Sequence, residues 1–262
     1  MISKVLSLFV VVVLACLASA AEETENKKNV GDRVVGGEYV DIVDYPYQVS
    51  LRKYGEHYCG GSIISKRHIL TAAHCISGLA QYPYNDITVF TGTSQSYGYS
   101  GQSHRVVNTW VHPYFRGDQD SAFAYDIGIM MLADEIQFNA YQQPIQLPTR
   151  DVRYGEIATT TGWGIQHYPS NDVSPILKRA YMATLPASEC NSALPEVRNI
   201  QVCALNKYGV GVCSGDSGGP LVVDGQVFGI TSWVVPCARG VPDVYTKVYS
   251  FVDWIRNVVN QY

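Results

Sequence analysis

The apolar residues of this chain fall in short runs, and that punctuation limits the folds open to it. Tyr47 to Arg52, Gly61 to Ile64, Ile87 to Thr91, Ile127 to Leu132, Leu221 to Val223 and Val227 to Thr231 are rich in β-branched or aromatic residues and are bounded by Gly, Pro, Asn and Asp. Such side chains fit a pleated sheet, so the pattern is that of an all-β protein. Helical spacing appears only near the end, from Ser250 to Asn260, where Phe251, Ile255, Val258 and Val259 recur and Ser250 stands as the expected N-cap. No internal repeat or low-complexity linker interrupts the chain.

Residues 1–20 have the form of a signal peptide: Lys4, an apolar stretch from Val5 to Leu17, then Ala18-Ser19-Ala20 as a small-residue cleavage site. The stretch is too short for a membrane span and no second one follows it, so a secreted, extracellular protein is expected. Residues 21–33 are polar and charged, end in Arg33, and suggest an activation peptide, leaving 34–262 as the folded protein, ample for one or two β modules. Of seven cysteines, Cys16 leaves with the signal peptide and six remain to pair in an oxidising compartment. Their connectivity stays open at this level. No C-x-x-C pair with a second matching pair suggests zinc. A net charge of −4 suggests neither nucleic acid nor a membrane surface as partner.

The chemistry is concentrated at Gly215-Asp216-Ser217-Gly218-Gly219-Pro220. Glycines leave space for a carbonyl to approach the Ser217 hydroxyl and for backbone N–H groups to face an oxygen that becomes negative. A serine needs a base, and the base needs an orienting group. The six histidines, at 57, 68, 74, 104, 112 and 167, all precede Ser217. That order excludes the α/β-hydrolase reading of G-x-S-x-G, whose histidine follows the serine. His74 ends the run Ile69 to His74 beside Cys75, whereas His104 and His112 lie in polar or turn surroundings. Asp126 opens the apolar run Ile127 to Leu132, where an ionised group is costly unless paired. His74 and Asp126 are therefore the candidate base and carboxylate.

With these pieces in order the chain resembles the trypsin/chymotrypsin family of serine endopeptidases. The matching segments are Val34-Val35-Gly36-Gly37, Thr71-Ala72-Ala73-His74-Cys75, Asp126-Ile127-Gly128-Ile129, Thr161-Gly162-Trp163-Gly164, Gly215 to Pro220 and Ser232-Trp233. The resemblance implies two six-stranded antiparallel β-barrels with a C-terminal helix, and disulfides Cys59–Cys75, Cys190–Cys203 and Cys213–Cys237. It implies a triad of His74, Asp126 and Ser217, with an oxyanion hole from the N–H groups of Gly215 and Ser217. It further implies activation by cutting Arg33-Val34, after which the Val34 ammonium pairs with Asp216.

Around the pocket the resemblance places Gly211 at the floor, with Ser232, Trp233, Val234 and Asp243 on the walls. A neutral floor implies a chymotrypsin-like preference for apolar or aromatic residues. Val234 and Asp243, which replace family glycines, resemble elastases and broad-specificity collagenolytic enzymes, the alternative reading. The family's calcium loop needs paired carboxylates, and Thr93 to Val106 contains none, so no metal or cofactor is expected. Protein or peptide substrates, an activating trypsin-like protease and protein inhibitors are the expected partners of a monomer. A catalytically silent homologue acting by binding is the remaining rival, against which stand the retained Ser217, His74 and Asp126.

Overall fold

The computed structural model describes residues 35–166, 170–235 and 237–261. The expected signal and activation peptides, Arg33, Val34 and His167 lie outside the described residues. Among the described residues thirteen strands follow one another from β1 (Glu38–Tyr39) onwards. β2 (Gln48–Lys53), β3 (Glu56–Ile63), β4 (His68–Thr71), β5 (Ile87–Thr91), β6 (Gln102–Val111) and β7 (Gly128–Leu132) close into one antiparallel barrel in the order β2-β3-β4-β7-β6-β5. β8 (Ile157–Gly162), β9 (Lys178–Thr184), β10 (Gln201–Leu205), β11 (Pro220–Val223), β12 (Gln226–Trp233) and β13 (Asp243–Lys247) form the second, closed by the pairing of β8 with β9, and β1 adds to the edge of β9.

Closure leaves no free sheet edge in either barrel and gives each an apolar interior. Val49, Leu51, Ile63, Ile69, Val89, Ile129 and Leu132 fill the first. Ala158, Met182, Val202, Leu221, Phe228 and Tyr245 fill the second. A short helix, α1 (Ala187–Ala193), precedes β10, and α2 (Val252–Gln261) closes the chain. Val252, Ile255 and Val258 form its buried face, and Ile255 and Val258 pack on the first core together with Phe251. Ser250 is not its N-cap: the residue lies inside a 3-10 turn, Val248–Phe251, that leads into the helix. Burying Val248 and Phe251 tightens the entry and moves the α-helical start beyond the serine.

The pairing of cysteines is the one the resemblance implies: Cys59–Cys75, Cys190–Cys203 and Cys213–Cys237. All six residues are buried. Such links typically contribute about 2–4 kcal/mol each by restricting the unfolded chain.

Candidate active site

His74 sits in a 3-10 turn, Ala73–Cys75, at the exit of β4. The bridge to Cys59 pins this turn to β3. Asp126 lies two residues before β7, which pairs with β4 through Thr71 and Gly128. The two side chains therefore meet across neighbouring strands. Asp126 is completely buried. Its Oδ2 is 2.7 Å from His74 Nδ1 and accepts the Ser232 hydroxyl at 2.6 Å, while Oδ1 accepts the His74 backbone N–H at 2.9 Å. A carboxylate only accepts, so Nδ1 carries the ring proton and Nε2 is left with a lone pair. The Phe123 ring meets the imidazole in an edge-to-face arrangement, the ring centroids 6.2 Å apart.

Ser217 comes from the loop before β11 and is seated against the first barrel, its carbonyl accepting the Gly60 N–H at 2.8 Å. Glycine is obligatory beside it: Gly218 has φ +78°, and a Cβ there would lie 2.2 Å from Thr71 Oγ1 and 2.6 Å from Gly60 O. This close approach joins the serine loop to the segment that leads into His74. The N–H groups of Asp216, Gly218 and Gly219 bond to Cys213 O, Thr231 O and Asp216 O. Among the described residues, no hydrogen bond engages the N–H of Gly215 or of Ser217.

The model of the family described as Trypsin matches residues 34–255. Chymotrypsin-2 of Vespa crabro is 35% identical over 227 residues, covering 85% of this chain and 98% of that protein. Trypsin 5G1 of Aedes aegypti is 36% identical over 234 residues, covering 86% of this chain and 85% of that protein. The chain belongs to the trypsin family. It is a serine endopeptidase, a hydrolase of the chymotrypsin-like fold, and its substrates are proteins.

Two further family motifs acquire a physical reason here. Asp216 is buried, its Oδ1 accepting Gly164 N–H at 2.7 Å and its Oδ2 accepting Cys213 N–H at 2.9 Å. A Cβ at Gly162 or Gly164 would lie 2.1 or 2.2 Å from this carboxylate, which is why the motif around Trp163 spends two glycines. Burial pushes the Asp216 pKa up to about 6, an effect reduced by the two N–H donors and by the charge of buried Lys178. Gly36, at φ +72°, lies so close to Gly209 O that a Cβ would be 2.1 Å away. Its neighbour Val35 accepts the Gly211 N–H at 3.1 Å, so the first described residues run alongside Gly211.

Asp243 opens β13, is 2% exposed, and accepts the Val212 N–H at 2.9 Å. Its Oδ2 occupies the space above Gly211, where a Cβ would approach it to 2.7 Å. Burial, with the neighbouring Asp216 adding to it, raises the Asp243 pKa to about 7. Trp233 and Val234 line a cleft of about 390 Å³ together with Phe123, Ala122, Gln119, Glu196 and Val235.

His104, His112 and His57 have structural surroundings. His104 is buried on β6 beside Thr91, against the polar setting expected of it, because the barrel closes over that strand. His112 packs among Tyr125, Phe251 and Trp254. His57, buried against Trp163, takes no part in the Asp126 pair and bonds instead to Ser50 and Gly215. Sequence reasoning missed this contact and the buried Arg52 behind it.

Proposed function

We propose that the endopeptidase works by acyl transfer through Ser217, His74 and Asp126. The observation that carries the reading is the Asp126 carboxylate, closed off from water and committed to His74 Nδ1, His74 N and Ser232 Oγ. That arrangement fixes the tautomer in which Nε2 can take the Ser217 proton as the hydroxyl attacks a peptide carbonyl. The same proton then passes to the leaving amine, and water releases the acyl group. The unengaged N–H groups of Gly215 and Ser217 support an oxyanion hole, in which each donor is typically worth about 3 kcal/mol of barrier. In the activated protein Ser217→Ala removes the nucleophile without disturbing any core contact. Peptide cleavage is expected to vanish while the melting temperature holds, and substantial residual turnover would remove Ser217 from the mechanism.

The protein is read as a secreted zymogen, with residues 1–20 and 21–33 removed in turn. Activation after Arg33 frees the Val34 ammonium, and Asp216 is a buried acid suited to receive it. The seating of Val35 on Gly211 supports this order of events. A broken buried ion pair costs roughly 3–5 kcal/mol, enough to switch the oxyanion loop between two shapes. For specificity, the uncharged floor at Gly211 favours apolar and aromatic side chains on the acyl side of the cut. Asp243, pressed against that floor, adds a basic component, and Val234 narrows the wall.

A further inference from the structure

We propose that Arg52 is a positioning residue for acyl transfer, tying the surface loop 93–101 through Ser50 and His57 to the carbonyl of Gly215, the residue whose N–H is an oxyanion donor. The proposal rests on the reading of Gly215 given above. Arg52 lies on β2, is 1% exposed, and holds its guanidinium 3.8 Å over the Phe90 ring. Nη1 donates to Gly98 O at 2.5 Å, Nη2 to Gln95 O at 2.7 Å, and Nε to Ser50 Oγ at 3.2 Å. Ser50 Oγ is 2.8 Å from His57 Nδ1, and His57 Nε2 is 2.9 Å from Gly215 O. The path thus runs without a gap from an exposed loop to the catalytic cleft.

The chemistry of the partners fixes every proton along it. A carbonyl only accepts, so His57 Nε2 carries the hydrogen that reaches Gly215 O. The ring is neutral at ordinary pH, since burial foremost, and the nearby Arg52 charge, lower its pKa to about 4. Nδ1 is therefore bare, and the Ser50 hydroxyl must donate to it. The Ser50 lone pair is then left for Arg52 Nε–H, which can only donate. Turning any member would set a buried donor against a donor, which is costly where water cannot relieve it. Gly215, at φ +96°, has the conformational freedom of glycine, and the bond on its carbonyl removes part of it.

The loop end explains why the cation is an arginine. Between Thr93 and Val106 there is no carboxylate, so the residues present do not fit the calcium that the resemblance associates with this loop. The carbonyls of Gln95 and Gly98 are gathered by a planar fork that also has a third donor to spend on Ser50. A compact ammonium lacks that geometry.

The test uses the full-length protein, activated and assayed with a peptide substrate and with a peptide aldehyde, whose hemiacetal oxygen enters the oxyanion hole. Ser50→Ala breaks the path while leaving the bonds of Arg52 to Gln95 and Gly98 in place; Arg52→Met removes the anchor. Each is expected to lower kcat and weaken the aldehyde about tenfold, a fraction of the roughly 10²-fold or more that a missing donor costs, with KM held within about twofold. Arg52→Lys keeps the charge without the fork and restores little. Nitrogen NMR of His57 should move from a single Nε2–H tautomer to a mixture in Ser50→Ala. Wild-type kcat and aldehyde affinity in Ser50→Ala, or a loss confined to KM, overturns the proposal, and that variant decides alone if Arg52→Met does not fold. An activated wild type inert towards peptides would sink the acyl-transfer reading as well, whereas an active wild type beside an unaffected Ser50→Ala sinks only the relay.

Discussion

Asp126, from the first barrel, and Asp216 and Asp243, from the second, are all closed off from solvent at 0%, 2% and 2% exposure, but they are held differently. Asp126 takes hydrogen bonds from the imidazole and the backbone N–H of His74, on its own barrel, and from the hydroxyl of Ser232, on β12 of the second. Asp216 takes two backbone N–H groups and Asp243 takes one, and burial pushes both acids towards their neutral forms. The first barrel thus brings a half-site that Ser232 of the second barrel finishes. The second brings two acids that gain from a cation arriving later: by our reading the freed Val34 ammonium for Asp216, and a basic substrate side chain for Asp243.

The sharpest way to break this contrast is Asp126→Asn, which leaves the shape but allows the wrong imidazole tautomer. A fall in kcat of about 10⁴-fold is expected, the magnitude established for triads of this kind; a loss under tenfold would mean that the finished half-site does not set the rate. Next comes Gly164→Ala, whose methyl group must displace the Asp216 carboxylate. It should cost about 1–3 kcal/mol of stability and roughly 10- to 100-fold in kcat/KM. Calorimetry and steady-state kinetics on one preparation read both effects.

Asp243→Asn tests the other acid. Unfolded, this carboxyl releases its proton near 4, and folded near 7. Between those values the folded chain binds more protons, so the contribution is present below about pH 4 and is lost as pH rises through about 7. The asparagine variant, which can still accept the Val212 N–H, should therefore lose less stability than wild type between pH 5 and pH 8, as measured by urea midpoints. It should also lose the basic component of cleavage. The smallest effect belongs to Val234→Gly, expected to improve kcat/KM for aromatic over small apolar residues by roughly tenfold; an unchanged ratio would take Val234 out of the pocket wall.

How much of this was legible in the sequence depended on how local the cause was. β-Branched runs marked the strands β2, β5, β7, β11 and β12 to within a residue or two, because their apolar residues are consecutive. β6 carries Gln102, Ser103, His104 and Arg105, which dilute its signal, and Cys59-Gly60-Gly61 hides most of β3. Glycines at 162, 164 and 218 stood out as motif positions, but the carboxylate and carbonyls that forbid a side chain there come from distant parts of the chain. Arg52 was harder still. Both faces of β2 are buried, one inside the barrel and the other beneath loop 93–101, so an arginine that reads as a solvated strand end is an interior cation. Its signal was the absence of acids in Thr93 to Val106, visible but unconnected until the two segments met in space.

The six bridged sulfurs all lie beneath the surface, with Cys237 the most open at 9%. A thiol in the surrounding fluid can reach them only when the chain opens locally. The working life of this enzyme in a reducing medium is therefore governed by how often its barrels breathe, and a bound inhibitor that clamps the cleft should protect the bridges without touching them.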